Sequence, residues 1–196
     1  MKASHFVMLL IVAFSTYLIQ LWEPQYTAPL YLGILSLCIL LGLVLNNINL
    51  THIALFLVVI NGLEYGFFQM GVIDLVAKDS DYLTKGTVIF GIQFLISVFA
   101  VLLFIFRVQL SRKISNSDKV ALTHFDTFFH WFFILSALNC FIALLENVFR
   151  NIYDLEFRFF YDIYPSVAYV LWALTCGSLV TMVILSLKDR NSTVAH

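Results

Sequence analysis

Runs of apolar residues, each roughly the length that crosses a bilayer, recur six times along this chain and are parted by short polar connections. They cover about residues 6–22, 30–45, 52–70, 88–106, 128–149 and 167–187. A helix needs about 20 mainly apolar residues to cross a hydrocarbon core of roughly 30 Å. In lipid the backbone must satisfy its own hydrogen bonds, and the runs lack the strict alternation of barrel strands. The pattern predicts an all-α polytopic membrane protein with about six transmembrane helices. It forms a single transmembrane domain over residues 1–196, with no separate soluble domain. The third run is the least regular, because Asn61, Gly62, Glu64, Gly66 and Gln69 interrupt it. A broken or re-entrant helix is the alternative to a continuous one there.

Composition agrees with this reading. Hydrophobic residues make up 61% of the chain and charged residues 12%, against about half and about a quarter in soluble domains. Mean hydropathy is +0.93. Sidedness follows from basic residues in short connections, which stay cytoplasmic. With the N-terminus inside, the inner segments carry Lys2, Arg107, Arg112, Lys113, Lys119, Lys188 and Arg190. The outer ones carry Lys78, Lys85, Arg150 and Arg158. The expectation is an inner (plasma) membrane protein with both termini cytoplasmic. The first run ends in Gln20-Leu21-Trp22-Glu23 without a small-x-small cleavage site, so an uncleaved first span is expected. Trp22, Tyr26 and Tyr31 then stand where aromatic anchors sit. The sequons at Asn49 and Asn191 fall on the inner side.

Two connections carry information. The inner loop 107–126 groups Arg107, Arg112, Lys113 and Lys119, which suits anionic headgroups or a cytosolic protein partner. The plainer reading is a topology signal alone. A short helix is expected across Val120 to Phe125. The outer segment 151–165 interleaves acidic residues with Phe157, Phe159, Phe160 and Tyr161. An in-plane interfacial helix would bury that aromatic face, with Pro165 opening the last span. An ordinary aromatic belt is the plainer alternative.

Polar side chains inside the runs are the candidates for function, because each is expensive in hydrocarbon. Glu64 lies deepest, about 4–5 Å from the middle of the third run, and Asn61 shares its face. Gly62 and Gly66 would let another helix approach closely. In the fifth run Asn139, Ala143, Glu146 and Arg150 form one stripe, with Glu146 and Arg150 spaced for an ion pair. Gln93, Ser97 and Ala100 share a face of the fourth run, and Ala173, Gly177 and Thr181 one of the sixth. Either Asn61, Glu64, Gln93, Asn139 and Glu146 converge on a core that carries protons or a cation, or they are interhelical glue, with Glu64 protonated or bonded across an oligomer interface.

Soluble-style chemistry is lacking. No GxSxG elbow, HExxH, P-loop or glycine-rich dinucleotide turn occurs. Glu146-x-x-x-Arg150 is similar to one motif of the prenyl-processing intramembrane proteases. Leu145 stands where their preceding glutamate belongs, and no Phe-x-x-x-His follows. Cys38, Cys140 and Cys176 have no metal-binding spacing. His124, Asp126 and His130 do not share a helical face. Neither a catalytic residue, a metal nor a cofactor is expected, and no direct nucleic-acid binding.

These features predict a non-enzymatic subunit that oligomerises in the bilayer and anchors or signals to a cytosolic partner. A small transporter or ion channel built around Glu64 is the alternative. In length, span content and short cytosolic connections, the whole chain resembles the small polytopic membrane subunits of bacterial phage-defence systems, the Kiwa family among them. The resemblance implies an oligomeric inner-membrane component that senses phage-induced disturbance and holds a cytosolic DNA-binding partner. It rests on no residue motif and so gives no residue a role; that family is also expected to have fewer spans. Under it, disturbance would shift the aromatic segment from Tyr153 to Tyr164 and tilt the helices bordering the inner loop.

Overall fold

In a computed structural model the described residues are 3–22, 27–69 and 81–194. They form seven helices and no strand: α1 Ala3–Trp22, α2 Thr27–Val44, α3 Ile48–Gln69, α4 Tyr82–Ile105, α5 Arg107–Ser115, α6 His124–Tyr153 and α7 Phe159–Val194. Lys2, Glu23, Tyr26 and Lys78, which entered the expectations above, lie outside the described residues, as does the side chain of Trp22.

The all-α membrane architecture is the one observed. Thr27–Val44, Ile48–Phe68, Tyr82–Ile105, His124–Tyr153 and Phe159–Asn191 are long and apolar enough to cross a membrane. The first run is also helical, but its apolar part among the described residues, Ser4–Ile19, is shorter. Apolar side chains such as Ile11, Phe14, Leu40, Leu95 and Leu138 are exposed on the outer faces, as expected where lipid is the solvent.

Local chemistry sets the breaks between helices. Asn46 takes a left-handed turn (φ 54°) after α2, and the Asn47 side chain accepts the Leu50 N–H to start α3. Asp81 caps α4 by accepting the Thr84 N–H. Left-handed Asn116 and Asp154 (φ 45° and 56°) end α5 and α6. The third run is one continuous helix: the Asn61 amide donates to the Leu57 carbonyl of its own helix at 2.7 Å, so its polarity does not break the backbone.

Two expectations are corrected. The inner-loop helix is α5, Arg107–Ser115, and not Val120 to Phe125. Asp126 reaches back to the Thr123 N–H and hydroxyl at 2.6 and 2.8 Å, which starts α6 at His124 and keeps the residues before it out of the helix. The aromatic segment is not a separate in-plane helix either. From Phe159 it forms the first turns of α7, and Pro165 lies inside that helix rather than at its start. An outside cap makes this early start possible: Glu146 of α6 accepts the Tyr161 N–H at 2.6 Å, one of the four donors that a helix start leaves free.

The helices pack mainly as α4 with α6, α1 with α7, α2 with α3, and α6 with α7. Leu35, Leu50, Ile53, Leu57, Cys176 and Leu179 are fully enclosed where α2, α3 and α7 meet. Close approach occurs at three glycines. A methyl on Gly42 would strike Thr51, one on Gly86 the amide of Asn147, and one on Gly177 the Leu9 carbonyl. Gly62 and Gly66, expected to admit a neighbouring helix, have nothing within 4 Å among the described residues.

Candidate intramembrane polar site

Glu64 projects from the last third of α3 with Asn61 one turn earlier, and both line two cavities of the bundle. The first, about 210 Å³, lies among α3, α4, α6 and α7. The second, about 150 Å³, lies between α2 and α3. Tyr31, Asn61, Glu64, Gln93 and Trp172 border both, so the carboxyl stands at the partition between them.

A polar chain runs from this carboxyl across the bundle. Gln93 of α4 borders both cavities together with Glu64. Its carbonyl oxygen accepts the Tyr164 hydroxyl of α7 at 2.7 Å. The Cys140 thiol of α6 lies 3.6 Å from the same hydroxyl. Beside it, the hydroxyls of Ser97 and Ser136 are 3.1 Å apart and join α4 to α6. The helices α4, α6 and α7 thus contribute hydrogen-bonded polar groups beside the carboxyl that α3 supplies.

The walls are aromatic. Tyr31 stacks on Trp172 with ring centroids 5.4 Å apart, while Phe132, Phe133 and Tyr169 close the first cavity. Pro165 also borders it. Its position within α7 removes one backbone N–H from the helix ladder.

The expected site residues divide into separate places. Asn61, Glu64 and Gln93 come together. Asn139 stands at the edge, donating to the Tyr164 carbonyl at 3.2 Å. Glu146 and Arg150 do not join this core and do not pair with each other. Glu146 caps α7, and the Arg150 guanidinium lies over the Tyr161 ring, 5.3 Å from its centroid, where Arg158 also sits at 5.4 Å. Phe157, Phe159 and Phe160 form an exposed cluster of stacked and edge-on rings.

At the other end, Arg107 is no lipid or partner contact. Its side chain is fully buried and donates to Asn49 Oδ1 at 3.1 Å, to the Ala121 carbonyl at 2.7 Å and to Asp126 at 2.5 Å. Arg112, Lys113 and Lys119 remain exposed. Arg107 differs because it follows α4 directly and α3 and α6 close over it.

Reasoning from sequence missed Tyr31, Ser136, Cys140, Tyr164 and Trp172 as members of the site. It also missed Asn147, which donates to the Leu83 carbonyl at 3.0 Å and to the Thr87 hydroxyl at 3.3 Å and so locks α6 to α4. An amide in an apolar run was the available signal for Asn147; the aromatic residues gave none. No group of His, Cys, Asp and Glu side chains among the described residues is arranged to hold a metal ion. The three cysteines are free and buried. No family of proteins, no curated protein and no solved structure matches this chain.

Proposed function

We propose that the protein is a small multi-pass transporter of the plasma membrane, with both termini cytoplasmic, that binds a small cation at Glu64. The observation that carries this reading is the position of Glu64 at the partition of two cavities within the spans. A carboxylate in hydrocarbon needs a proton or a counter-charge. The amides of Asn61 and Gln93 offer orientation, and the rings of Tyr31, Trp172 and Tyr164 offer negative faces to a cation. A small organic ammonium suits aromatic walls better than a strongly hydrated metal ion. A proton on Glu64 would compete with it.

The test is binding and uptake of methylammonium by the purified protein in liposomes, with and without a pH gradient. Glu64→Gln is expected to abolish both, while Asn139→Ala keeps them. Wild-type protein that binds no ammonium, or a Glu64→Gln variant that binds it equally, would overturn the reading.

A second reading is favoured by the inner loop. Arg112, Lys113 and Lys119 are exposed on a platform that Arg107, Asn49 and Asp126 hold in place. That arrangement suits an oligomeric subunit that carries a cytosolic partner and relays membrane disturbance, as the resemblance to phage-defence subunits implies. Reversing the three exposed charges would then abolish protection against phage in cells that carry the full set of neighbouring genes, with membrane insertion unchanged. Protection at full strength in that variant would remove this reading.

A further inference from the structure

A third cavity, of about 240 Å³, lies away from Glu64 at the end of the bundle where α6 turns into α7. Its walls are Ile142, Leu145, Phe149, Leu155, Phe157 and Phe160, all apolar, and its two charged members are Glu146 and Arg150. Of these apolar residues, Leu145, Phe149, Leu155, Phe157 and Phe160 are exposed, so the slot opens toward the lipid.

Glu146 is 7% exposed. One carboxylate oxygen takes the Tyr161 N–H, but the other, Oε1, is buried and has no hydrogen-bond partner among the described residues. Burying an acceptor without a donor is costly, more so when it is charged. Directly behind the apolar wall of the slot therefore lies a carboxylate oxygen without a donor. Arg150, one turn along α6, forms no ion pair with it.

We propose that this slot binds a phospholipid whose headgroup carries a primary ammonium. The ammonium meets Glu146 Oε1, the phosphate meets Arg150, and one acyl chain lies along Phe149, Leu155, Phe157 and Phe160. Charge complementarity selects this occupant. A fatty acid would set its carboxylate against Glu146, and a choline headgroup has no N–H to give the oxygen. The Glu64 site is not involved.

The experiment measures binding of phosphatidylethanolamine, phosphatidylcholine and chain-free phosphoethanolamine to the delipidated full-length protein by native mass spectrometry in detergent. The ethanolamine lipid should bind about tenfold more tightly than the choline lipid, the gain expected of one charge-assisted hydrogen bond. Glu146→Gln should erase that preference. Ile142→Phe, which narrows the slot without touching the carboxylate, should weaken the ethanolamine lipid about tenfold and decides the matter if Glu146→Gln fails to fold. Equal binding of both lipids, an undiminished preference in Glu146→Gln, unchanged affinity in Ile142→Phe, or phosphoethanolamine binding as tightly as the lipid would each overturn the proposal.

Discussion

The Arg107 guanidinium donates to the Asp126 carboxylate at 2.5 Å, with the two side chains 0% and 5% exposed. Asp126 also takes both donors of Thr123, and Arg107 also holds Asn49 and the Ala121 carbonyl. Asn49 in turn takes the Ala121 N–H and donates to the Lys119 carbonyl. One network thus ties the start of α3, the start of α5 and the start of α6.

Removing one member leaves a buried charge uncompensated, at a cost of about 3–5 kcal/mol. Arg107→Leu and Asp126→Leu should each lower the melting temperature in mild detergent strongly. The double variant should lose less than the sum, because the two share one interaction. Arg112→Ala, Lys113→Ala and Lys119→Ala should stay within about 0.5 kcal/mol of the wild type. Equal effects at Arg107 and Lys113 would refute the division of the four basic residues.

The glycines give a second contrast. Gly177→Ala pushes a methyl toward the Leu9 carbonyl at 2.8 Å, and backbone cannot swing aside. Separation of α1 from α7 should cost about 1–3 kcal/mol, read as a lower melting temperature and faster amide exchange in α1. Gly33→Ala and Gly91→Ala meet nothing within 4 Å and should leave stability unchanged or raise it slightly.

How far sequence reached can be judged from these same residues. Asn61, Glu64 and Gln93 stand out because a polar side chain in an apolar run is conspicuous and needs a partner. Tyr31, Tyr164 and Trp172 do not, because an aromatic residue near the end of a run also fits a lipid interface. Arg107 reads as a loop cation, since its burial depends on Asn49 and Asp126, which are 58 and 19 positions away. Gly62 and Gly66 carry the motif of a tight crossing, yet the crossings fall at Gly42, Gly86 and Gly177. Which small residue meets a neighbour is decided by helix rotation, and local spacing does not encode that. The ends of α1, α2, α3 and α6 fall within four residues of the apolar runs, whereas α4 starts six residues earlier and α5 lies where no helix was expected. The start of α7 comes eight residues before its run, at a point that depends on the Glu146 carboxylate supplied by another helix.

The polar chain yields a third prediction. Tyr164→Phe removes the hydroxyl that reaches Gln93 and leaves that carbonyl oxygen without this donor. The loss should be about 1–3 kcal/mol. Gln93→Leu combined with Tyr164→Phe should recover part of it, since both polar ends then go together. Thermal unfolding of the three variants checks this. A double variant as unstable as the two single losses combined would show that the two groups act independently.

The last prediction concerns pH at the start of α4. Asp81 is fully exposed, and hydrogen bonds from the Thr84 hydroxyl and N–H hold its carboxyl below the usual range. A group depressed in the folded state adds stability above its unfolded pKa and loses it as pH falls through the folded value. The first turn of α4 should therefore fray as acid is added, with faster amide exchange at Thr84 and Lys85 while the rest of α4 stays protected. Asp81→Asn keeps a capping side chain without a titrating group, so it should flatten this pH dependence while the turn persists. An acid-induced loss of protection of equal size in Asp81→Asn would place its origin elsewhere in the protein.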